Sequence, residues 1–285
     1  MNGIVVVDKP QDWTSHDVVG KLRGVYKERR IGHSGTLDPL ATGVLVVFVG
    51  RATRAVEFAE NDEKEYIAGL RFGIRTDTAD ITGNVLEESD RRPEEAEVRE
   101  ALNCFRGQIE QIPPMYSAIK VKGQKLYQLA RKGQVVERKP RTVTISALDL
   151  MEQTDEDTIL DVVCSKGTYI RTLCEDIGEK LSCPACMSSL RRVRAGRFRI
   201  EDSHSIEEIC EDPMEVILPV DSLFYDYPAL TVTENQEKVI RNGGVYSTNA
   251  SDGKYRFYSS NNEFLMFGEV IDGQAKTIKS FFDVD

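Results

Sequence analysis

The chain has 285 residues, 40% of them hydrophobic, which is enough to bury the cores of one large and one small domain. No apolar run approaches the roughly 20 residues of a membrane span, and no basic segment precedes the apolar N-terminus, so the sequence predicts a cytoplasmic protein with no membrane contact. The net charge of −10 does not exclude a polyanionic partner, because residues 201–227 hold nine acidic side chains and no basic one, whereas residues 1–200 are nearly balanced.

The first predicted elements lead into a glycine-rich loop. Residues 4–7 are a continuous apolar run typical of a buried strand, and a helix is expected from Ser15. The loop over residues 32–43 then precedes the apolar run 44–49, which predicts a central strand. Asp38 is therefore expected on a loop against the core.

The middle of the chain predicts further sheet and one insertion. Residues 64–72 alternate as a half-buried strand does, and Pro93 opens a helix. Between about residues 112 and 142 the composition shifts to Pro, Tyr, Lys and Arg around one short helix, which predicts an excursion from the core. Two strands between residues 143 and 164 and a helix from Ile170 return to it.

After Tyr227 the sequence becomes short strands separated by Gly, Asn and Ser turns, as in a small β-barrel. We therefore predict an α+β (mixed α/β) protein, with a largely antiparallel central sheet flanked by helices over residues 1–227 and a small β-barrel-like module over residues 228–285. That module has six basic and eight acidic side chains, a poor match to a polyanion.

Six cysteines are too sparse for a disulfide scaffold in a chain of this length. Cys183 and Cys186 form a lone CxxC pair, and His204 and Cys210 stand at spacings too irregular to complete a zinc site. The sequence predicts reduced thiols and no metal.

Basic side chains recur in four clusters within residues 1–200. They are Arg23, Lys27, Arg29 and Arg30; Lys120, Lys122, Lys125, Arg131 and Lys132; Arg138, Lys139 and Arg141; and Arg191, Arg192, Arg194, Arg197 and Arg199. One cluster alone would be an ordinary solvated face. Four together, several interleaved with aromatic residues, predict a surface that follows nucleic-acid phosphates.

Asp38 is the most conspicuous candidate for chemistry. Pro39 restricts its backbone to an extended conformation and so fixes the direction of the carboxylate. An Asx turn would use the same pattern, and spacing alone does not exclude it.

Three motifs in order carry a resemblance to a known family. They are Lys9-Pro10 followed by residues 13–17, the loop Gly35–Gly43, and residues 165–171, with residues 64–66 and 76–80 between them. In these motifs the chain resembles the bacterial tRNA pseudouridine synthase B family. The resemblance covers residues 1–200 well and the remainder loosely, and it implies the pseudouridine synthase fold with a C-terminal PUA-like module.

The resemblance implies a role for each matching residue. Asp38 is expected to be the catalytic nucleophile. Tyr66 would stack on the target base and help to move a proton, and Arg171 would pair with the catalytic carboxylate. The substrate-binding set implied by the motifs comprises His33, at the site vacated by the extruded base; Lys9, as support of the loop; Leu190, in the pocket wall; and Tyr169. Lys125, in the basic insertion, joins this set as an RNA contact because of the composition of that segment.

The implied reaction converts uridine 55 in the T-loop of tRNA to pseudouridine. Exchanging a C1′–N1 bond for a C1′–C5 bond needs no redox change and no energy input, so we expect no cofactor. The carboxylate must be ionised in a partly dry pocket, and Arg171 would offset the effect of burial on its pKa. The base must be flipped out of the folded RNA. We expect a monomer that needs no protein partner.

Three alternatives stay open at this point. The chain could bind or fold RNA without chemistry, or it could be a hydrolase with an aspartyl intermediate, although the loop offers no second carboxylate as a proton shuttle. It could also be a guide-RNA-dependent relative. The motifs begin close to Met1, which favours a stand-alone enzyme.

Overall fold

The computed structural model describes residues 1–60, 62–117, 119–121, 123–130, 132–134 and 136–282, without the side chains of residues 120, 121, 125 and 127. In chain order the strands are β1 (Gly3–Lys9), β2 (Ile31–Ser34), β3 (Thr42–Val49), β4 (Lys64–Phe72), β5 (Ile74–Thr76), β6 (Val85–Glu88), β7 (Gly107–Gln111), β8 (Lys120–Val121), β9 (Gln124–Lys125), β10 (Arg141–Gln153), β11 (Thr158–Cys164), β12 (Ala185–Ala195), β13 (Phe198–Arg199), β14 (Ala229–Thr231), β15 (Tyr246–Ser247), β16 (Gly253–Tyr258), β17 (Phe264–Ile271) and β18 (Gln274–Ser280). The α-helices are α1 (Ser15–Tyr26), α2 (Val56–Glu60), α3 (Glu95–Leu102), α4 (Leu126–Ala130), α5 (Ile170–Lys180), α6 (Ile206–Glu211) and α7 (Glu234–Arg241).

The largest sheet has nine strands within the described ranges and follows the order β1-β3-β12-β4-β11-β10-β7, with β2 beside β3 and β13 beside β12. Its pairs are antiparallel except for β12 with β3, which run parallel where Arg191 and Arg192 face Thr42 and Gly43. The predicted largely antiparallel central sheet is confirmed. β12 was not predicted as a strand, and its insertion between β3 and β4 is what joins the two halves of the sheet.

Helices cover both halves of this sheet. On one half, β1 and β3 bury a valine-rich face against α1, which begins at Ser15 as predicted and is capped by Thr14 through a hydrogen bond from the amide of Asp17. On the other half, β4, β10, β11 and β12 bury their apolar residues against α3 and α5. The sheet is therefore rigid where β2, β3, β4 and β12 meet.

Residues 229–280 supply a second sheet, whose described strands follow the order β14-β16-β17-β18-β15. The small C-terminal β structure is thus as predicted, although α7 was not. The ring of Phe267 in β17 stacks on Phe224 at 4.4 Å between centroids, which brings this sheet against the free face of β1 and β3.

None of the helices in the described ranges has the length and apolar character needed to cross a membrane.

Candidate active site

The loop between β2 and β3 holds Asp38 by fixing both of its neighbours. Leu37 is buried, and its amide donates to Ser15 Oγ at 2.9 Å. On the other side, Lys9 Nζ donates to the carbonyl of Pro39 at 3.4 Å and to that of Trp13 at 2.6 Å. The backbone around Asp38 is therefore tied to α1 and to the end of β1.

Arg171 provides the charge opposite Asp38. Its Nη2 lies 3.0 Å from Asp38 Oδ2, and the side chains are 7% and 40% exposed respectively. Burial raises the pKa of Asp38 above its ordinary value, and Arg171 opposes that rise. The predicted pairing of the two side chains is confirmed, and the carboxylate stays partly open to solvent.

The guanidinium of Arg171 has further partners that hold it in place. Nη2 also donates to the carbonyl of Tyr116 at 2.8 Å, and Nη1 donates to that of Thr78 at 3.2 Å. Nη1 also lies 3.8 Å from Asp80 Oδ2, whose side chain is 9% exposed. Such a fork of donors suits arginine and not lysine.

Asp80 was not singled out in the sequence, although it lies in one of the matching motifs. Its carboxylate accepts from the hydroxyl of Thr78 at 3.0 Å and from the amide of Thr82 at 3.0 Å, so its orientation is fixed. Its negative charge contributes to the raised pKa of Asp38. Two carboxylates thus share one guanidinium, and only Asp38 faces the cavity.

A cavity of about 620 Å³ opens beside this ion pair. Its walls include His33, Asp38, Tyr66, Tyr169, Arg171 and Leu190. Six of the eight sequence-predicted site residues therefore meet at one place. The side chain of Lys125 lies outside the described residues.

Lys9 does not line this cavity. Its side chain is fully buried and donates to three backbone carbonyls, so the structure excludes direct contact with a substrate and leaves the supporting role. Burial lowers the pKa of Lys9 to about 8. Its placement among substrate-binding residues is therefore corrected, because a lysine satisfied by three carbonyls has no donor left for RNA.

The titration of two wall residues is shifted by burial. Burial lowers the pKa of His33 to about 4, with help from the charges of His16 and Arg192, so His33 is neutral at pH 7. Burial raises the pKa of Tyr66, and the charge of Arg192 opposes the rise. Both side chains therefore present neutral, partly apolar surfaces to the cavity.

Three of the five arginines in the last basic cluster have partners within the protein. Arg191 donates to both carboxylate oxygens of Asp8, at 3.2 and 2.8 Å, and Arg194 pairs with Glu65 at 2.8 Å. Arg192 is 1% exposed. The prediction that the cluster follows phosphates is wrong for Arg192, which is inside the protein. Arg191 and Arg194 are held in ion pairs, and Arg197 and Arg199 are exposed, so for these four it stays a prediction.

The cysteine pair is part of the core. Cys183 lies in the turn before β12 and Cys186 lies within β12, and both are buried free thiols. In the residues that the structure describes, no three His, Cys, Asp or Glu side chains are grouped as a metal site would require.

Comparison with known proteins places this geometry in a family. A family model described as the N-terminal domain of TruB family pseudouridylate synthases matches residues 23–170, and one described as the tRNA pseudouridylate synthase B C-terminal domain matches residues 171–225. The chain is 42% identical to tRNA pseudouridine synthase B of Clostridium kluyveri, over 99% of this chain and 100% of that protein. It is 44% identical to the protein of the same name from Alkaliphilus oremlandii, over 95% and 93%.

The fold also recurs in solved structures. One chain in a structure of an H/ACA RNP bound to a substrate RNA containing 2′-deoxyuridine is similar with a TM-score of 0.73, over 99% of this chain and 85% of that one, at 22% sequence identity. This likeness concerns the fold alone. The family models and the two relatives together show that the chain belongs to the TruB family of pseudouridylate synthases.

Proposed function

We propose that the chain converts the T-loop uridine at position 55 of tRNA to pseudouridine without a cofactor, with Asp38 as the nucleophile. The observation that carries this proposal is the Asp38–Arg171 pair, because Asp38 is the member that stays 40% exposed beside the cavity. A buried pair facing the core would be structural, whereas this one offers a carboxylate oxygen to a ligand.

The fixed charge of Arg171 keeps Asp38 reactive. Burial and Asp80 both favour the protonated form of Asp38, and Arg171 favours the ionised form that a nucleophile needs. Because Arg171 is itself held by two backbone carbonyls, it does not have to reorganise when charge moves during the reaction.

The cavity suits one flipped nucleotide. Its volume of about 620 Å³ falls within the range of small-ligand pockets and is far too small for a helical stem. Tyr66 and Leu190 supply apolar surface against which a base can stack, and His33, another wall residue, is neutral. During the reaction the C1′–N1 bond breaks and a C1′–C5 bond forms, while the proton on C5 leaves to water and N1 takes a proton from water. The bond that Asp38 forms to the nucleoside breaks again before the product leaves.

We propose that the division of the chain follows the two sheets. Residues 1–227 would form the catalytic domain, with residues 112–142 as its RNA-facing insertion, and residues 228–285 the small PUA-like module. The insertion supports this assignment because the carbonyl of Tyr116 contacts Arg171, which places its root at the cavity. The C-terminal module has more acidic than basic side chains and would add little affinity for RNA.

We also propose that the chain acts alone on tRNA, as a monomer in the cytoplasm. The support is that the chain is 42% identical, over 99% of its length, to a protein named tRNA pseudouridine synthase B.

The test is a transcript of the T-arm stem-loop incubated with the purified chain. Pseudouridine has the same mass as uridine, so it is derivatised with a carbodiimide and the tagged position is then mapped by mass spectrometry. The expected product is a single pseudouridine at position 55. A matched transcript with cytidine at that position should give none. Modification elsewhere in full-length tRNA, with position 55 left unchanged, would reject the T-loop assignment.

A further inference from the structure

One flank of helix α1 is basic and lies outside the cavity. The buried side of this helix comprises Ser15, Val18, Val19, Leu22 and Tyr26. With 3.6 residues per turn, the exposed flank beside that buried side holds His16, Gly20, Arg23 and Lys27. Lys21 is exposed too, but it lies at least about 100° around the helix axis from each of these four.

This flank faces β2 and leads to the cavity. Nε of Arg23 donates to the carbonyl of Arg29, which stands just before β2, at 3.1 Å. At the other end of the helix, the ring of His16 meets that of His33 edge-on, with 6.0 Å between the centroids. His33 lies in β2 and is a wall residue of the cavity. The flank therefore begins beside the cavity wall and runs for about 16 Å along α1 to Lys27.

The far end of the flank carries positive charges that the protein does not neutralise. Four exposed cations stand there: Arg23, Lys27, Arg29 and Arg30. Across the described residues, no Asp or Glu lies within ion-pair distance of any of them. Glu28 is the one carboxylate within residues 23–30, and it accepts from the amide of Arg30 at 2.8 Å. Like charges held this close repel one another, so the segment favours an anionic ligand.

Gly20 lies in the middle of the flank, where glycine lowers the stability of the helix. In an exposed helix interior, glycine costs about 1 kcal/mol relative to alanine. A Cβ atom at Gly20 would have nothing within 4 Å, so no neighbour among the described residues requires glycine there. The close approach of a ligand to the helix backbone is a physical reason for this residue.

The ligand that fits this surface is the sugar–phosphate backbone of RNA. Its negative charges repeat along a line, as the cations of the flank do. At about 3.4 Å of duplex axis per nucleotide, a strand laid along 16 Å of helix presents roughly five phosphates. Because the flank starts beside the cavity, the strand that leaves a flipped nucleotide can continue along it.

We propose that the α1–β2 surface, formed by Gly20, Arg23, Lys27, Arg29 and Arg30, binds the sugar–phosphate backbone of the stem that carries the flipped uridine. This rests on the proposed function. Contacts to phosphates are electrostatic and carry no base sequence information, so the surface increases affinity and leaves the chemical step unchanged.

The first test uses two variants that make the same change in net charge at adjacent positions of α1. Gly20→Glu adds a carboxylate to the flank, whereas Lys21→Gln removes a positive charge from another side of the helix. Binding of the T-arm stem-loop is measured by fluorescence anisotropy at about 0.1 M salt. Gly20→Glu should raise the Kd by at least about 10-fold, and Lys21→Gln by less than about 2-fold. Equal losses would overturn the proposal, because binding would then follow net charge alone.

A second test combines Lys27→Gln with Arg30→Gln. The double variant should raise the Kd by about 10-fold and reduce the slope of log Kd against log salt concentration by about 1 to 2, because two phosphate contacts are lost. Its rate of pseudouridine formation at saturating RNA should equal that of the wild type. An unchanged Kd and slope would overturn the proposal.

The length of the RNA stem provides the matching control on the ligand. When the stem is cut to the half next to the loop, the effect of the double variant on the Kd should shrink to less than about 3-fold, because the phosphates that meet Lys27 and Arg30 are gone. The same effect on both RNAs would overturn the proposal. A wild-type chain that binds in this pattern but forms no pseudouridine would instead reject the proposed function.

Discussion

Replacing Arg171 by methionine removes the charge opposite Asp38 while keeping a side chain of similar length. The variant loses the 3.0 Å contact with Asp38 and the hydrogen bonds to the carbonyls of Tyr116 and Thr78. It also leaves Asp80 without its guanidinium, although the hydroxyl of Thr78 and the amide of Thr82 still donate to that carboxylate.

The electrostatic effect follows from the distance and the exposure. At 3.0 Å and an effective dielectric constant of about 20, two full charges attract by about 5 kcal/mol. The Asp38 side chain is 40% exposed, so solvent screening reduces this attraction to about 1–2 kcal/mol. The pKa of Asp38, already raised by burial, should therefore rise further when Arg171 is removed.

The stability cost comes mainly from Asp80, whose side chain is 9% exposed. Because Thr78 and Thr82 satisfy part of its hydrogen-bonding capacity, the free energy of unfolding should fall by about 2 kcal/mol, less than the 3–5 kcal/mol typical of a broken buried pair.

The assay is the single-turnover rate of pseudouridine formation measured between about pH 4 and pH 8. The rate should rise with pH as Asp38 ionises. Arg171→Met should shift the midpoint upward, because the positive charge is lost, and should lower the plateau by about 100-fold, because the orientation of the carboxylate is lost. Arg99→Met is the control for loss of an arginine elsewhere. A variant with the midpoint and plateau of the wild type would refute the ion-pair reasoning.

Three further predictions concern single residues. Asp80→Asn removes a negative charge that raises the pKa of Asp38, so the midpoint of the pH–rate profile should move downward. The plateau should fall by about 10-fold, because Arg171 loses one of the groups that hold it. An unchanged profile would contradict this. Gly43→Ala would place a Cβ atom 2.2 Å from the carbonyl oxygen of Arg192, at a position whose φ of +96° is already unfavourable for alanine. The melting temperature should fall by more than about 10 °C, or the chain should not fold. A melting curve like that of the wild type would contradict this. The pKa of His33 is about 4 in the folded state, so between about pH 6.5 and pH 4 the unfolded chain binds more protons than the folded one. The free energy of unfolding, measured by chemical denaturation, should therefore fall over this range by roughly 2–3 kcal/mol more in the wild-type chain than in His33→Asn. An equal fall in both proteins would contradict this.

Apolar runs and helix-capping residues predicted much of the secondary structure in the N-terminal half. The apolar run of β3 can only be a buried strand, and α1 begins where an N-cap threonine and a first-turn aspartate stand together. Asp38 was assigned to a loop by the Gly and Pro residues around it. Its pairing with Arg171, some 130 residues later, came from the family resemblance, because spacing alone does not reveal which distant side chains meet.

The sequence patterns failed to predict β12 and the burial of Lys9, because both involve charged side chains whose partners lie within the protein. The last five residues of β12 include three arginines, so the sequence predicts a solvent-exposed basic segment. In the structure Arg192 is buried, and Arg191 and Arg194 are paired with carboxylates. Lys9 was expected to support the loop but was grouped with the substrate-binding residues, because its three carbonyl partners are brought together only by the folded loop. From the sequence alone, charged residues that stabilise a site inside the protein cannot be distinguished from charged residues on its surface.

The proposed reaction depends on the carboxylate of Asp38, and tRNA that carries tritium on uracil C5 tests its role most directly. Release of tritium to water should proceed in the wild-type chain and in Asp155→Asn, which alters an exposed turn, and should be abolished in Asp38→Asn with the fold and RNA affinity preserved. Equal release from the wild-type chain and Asp38→Asn would contradict the account.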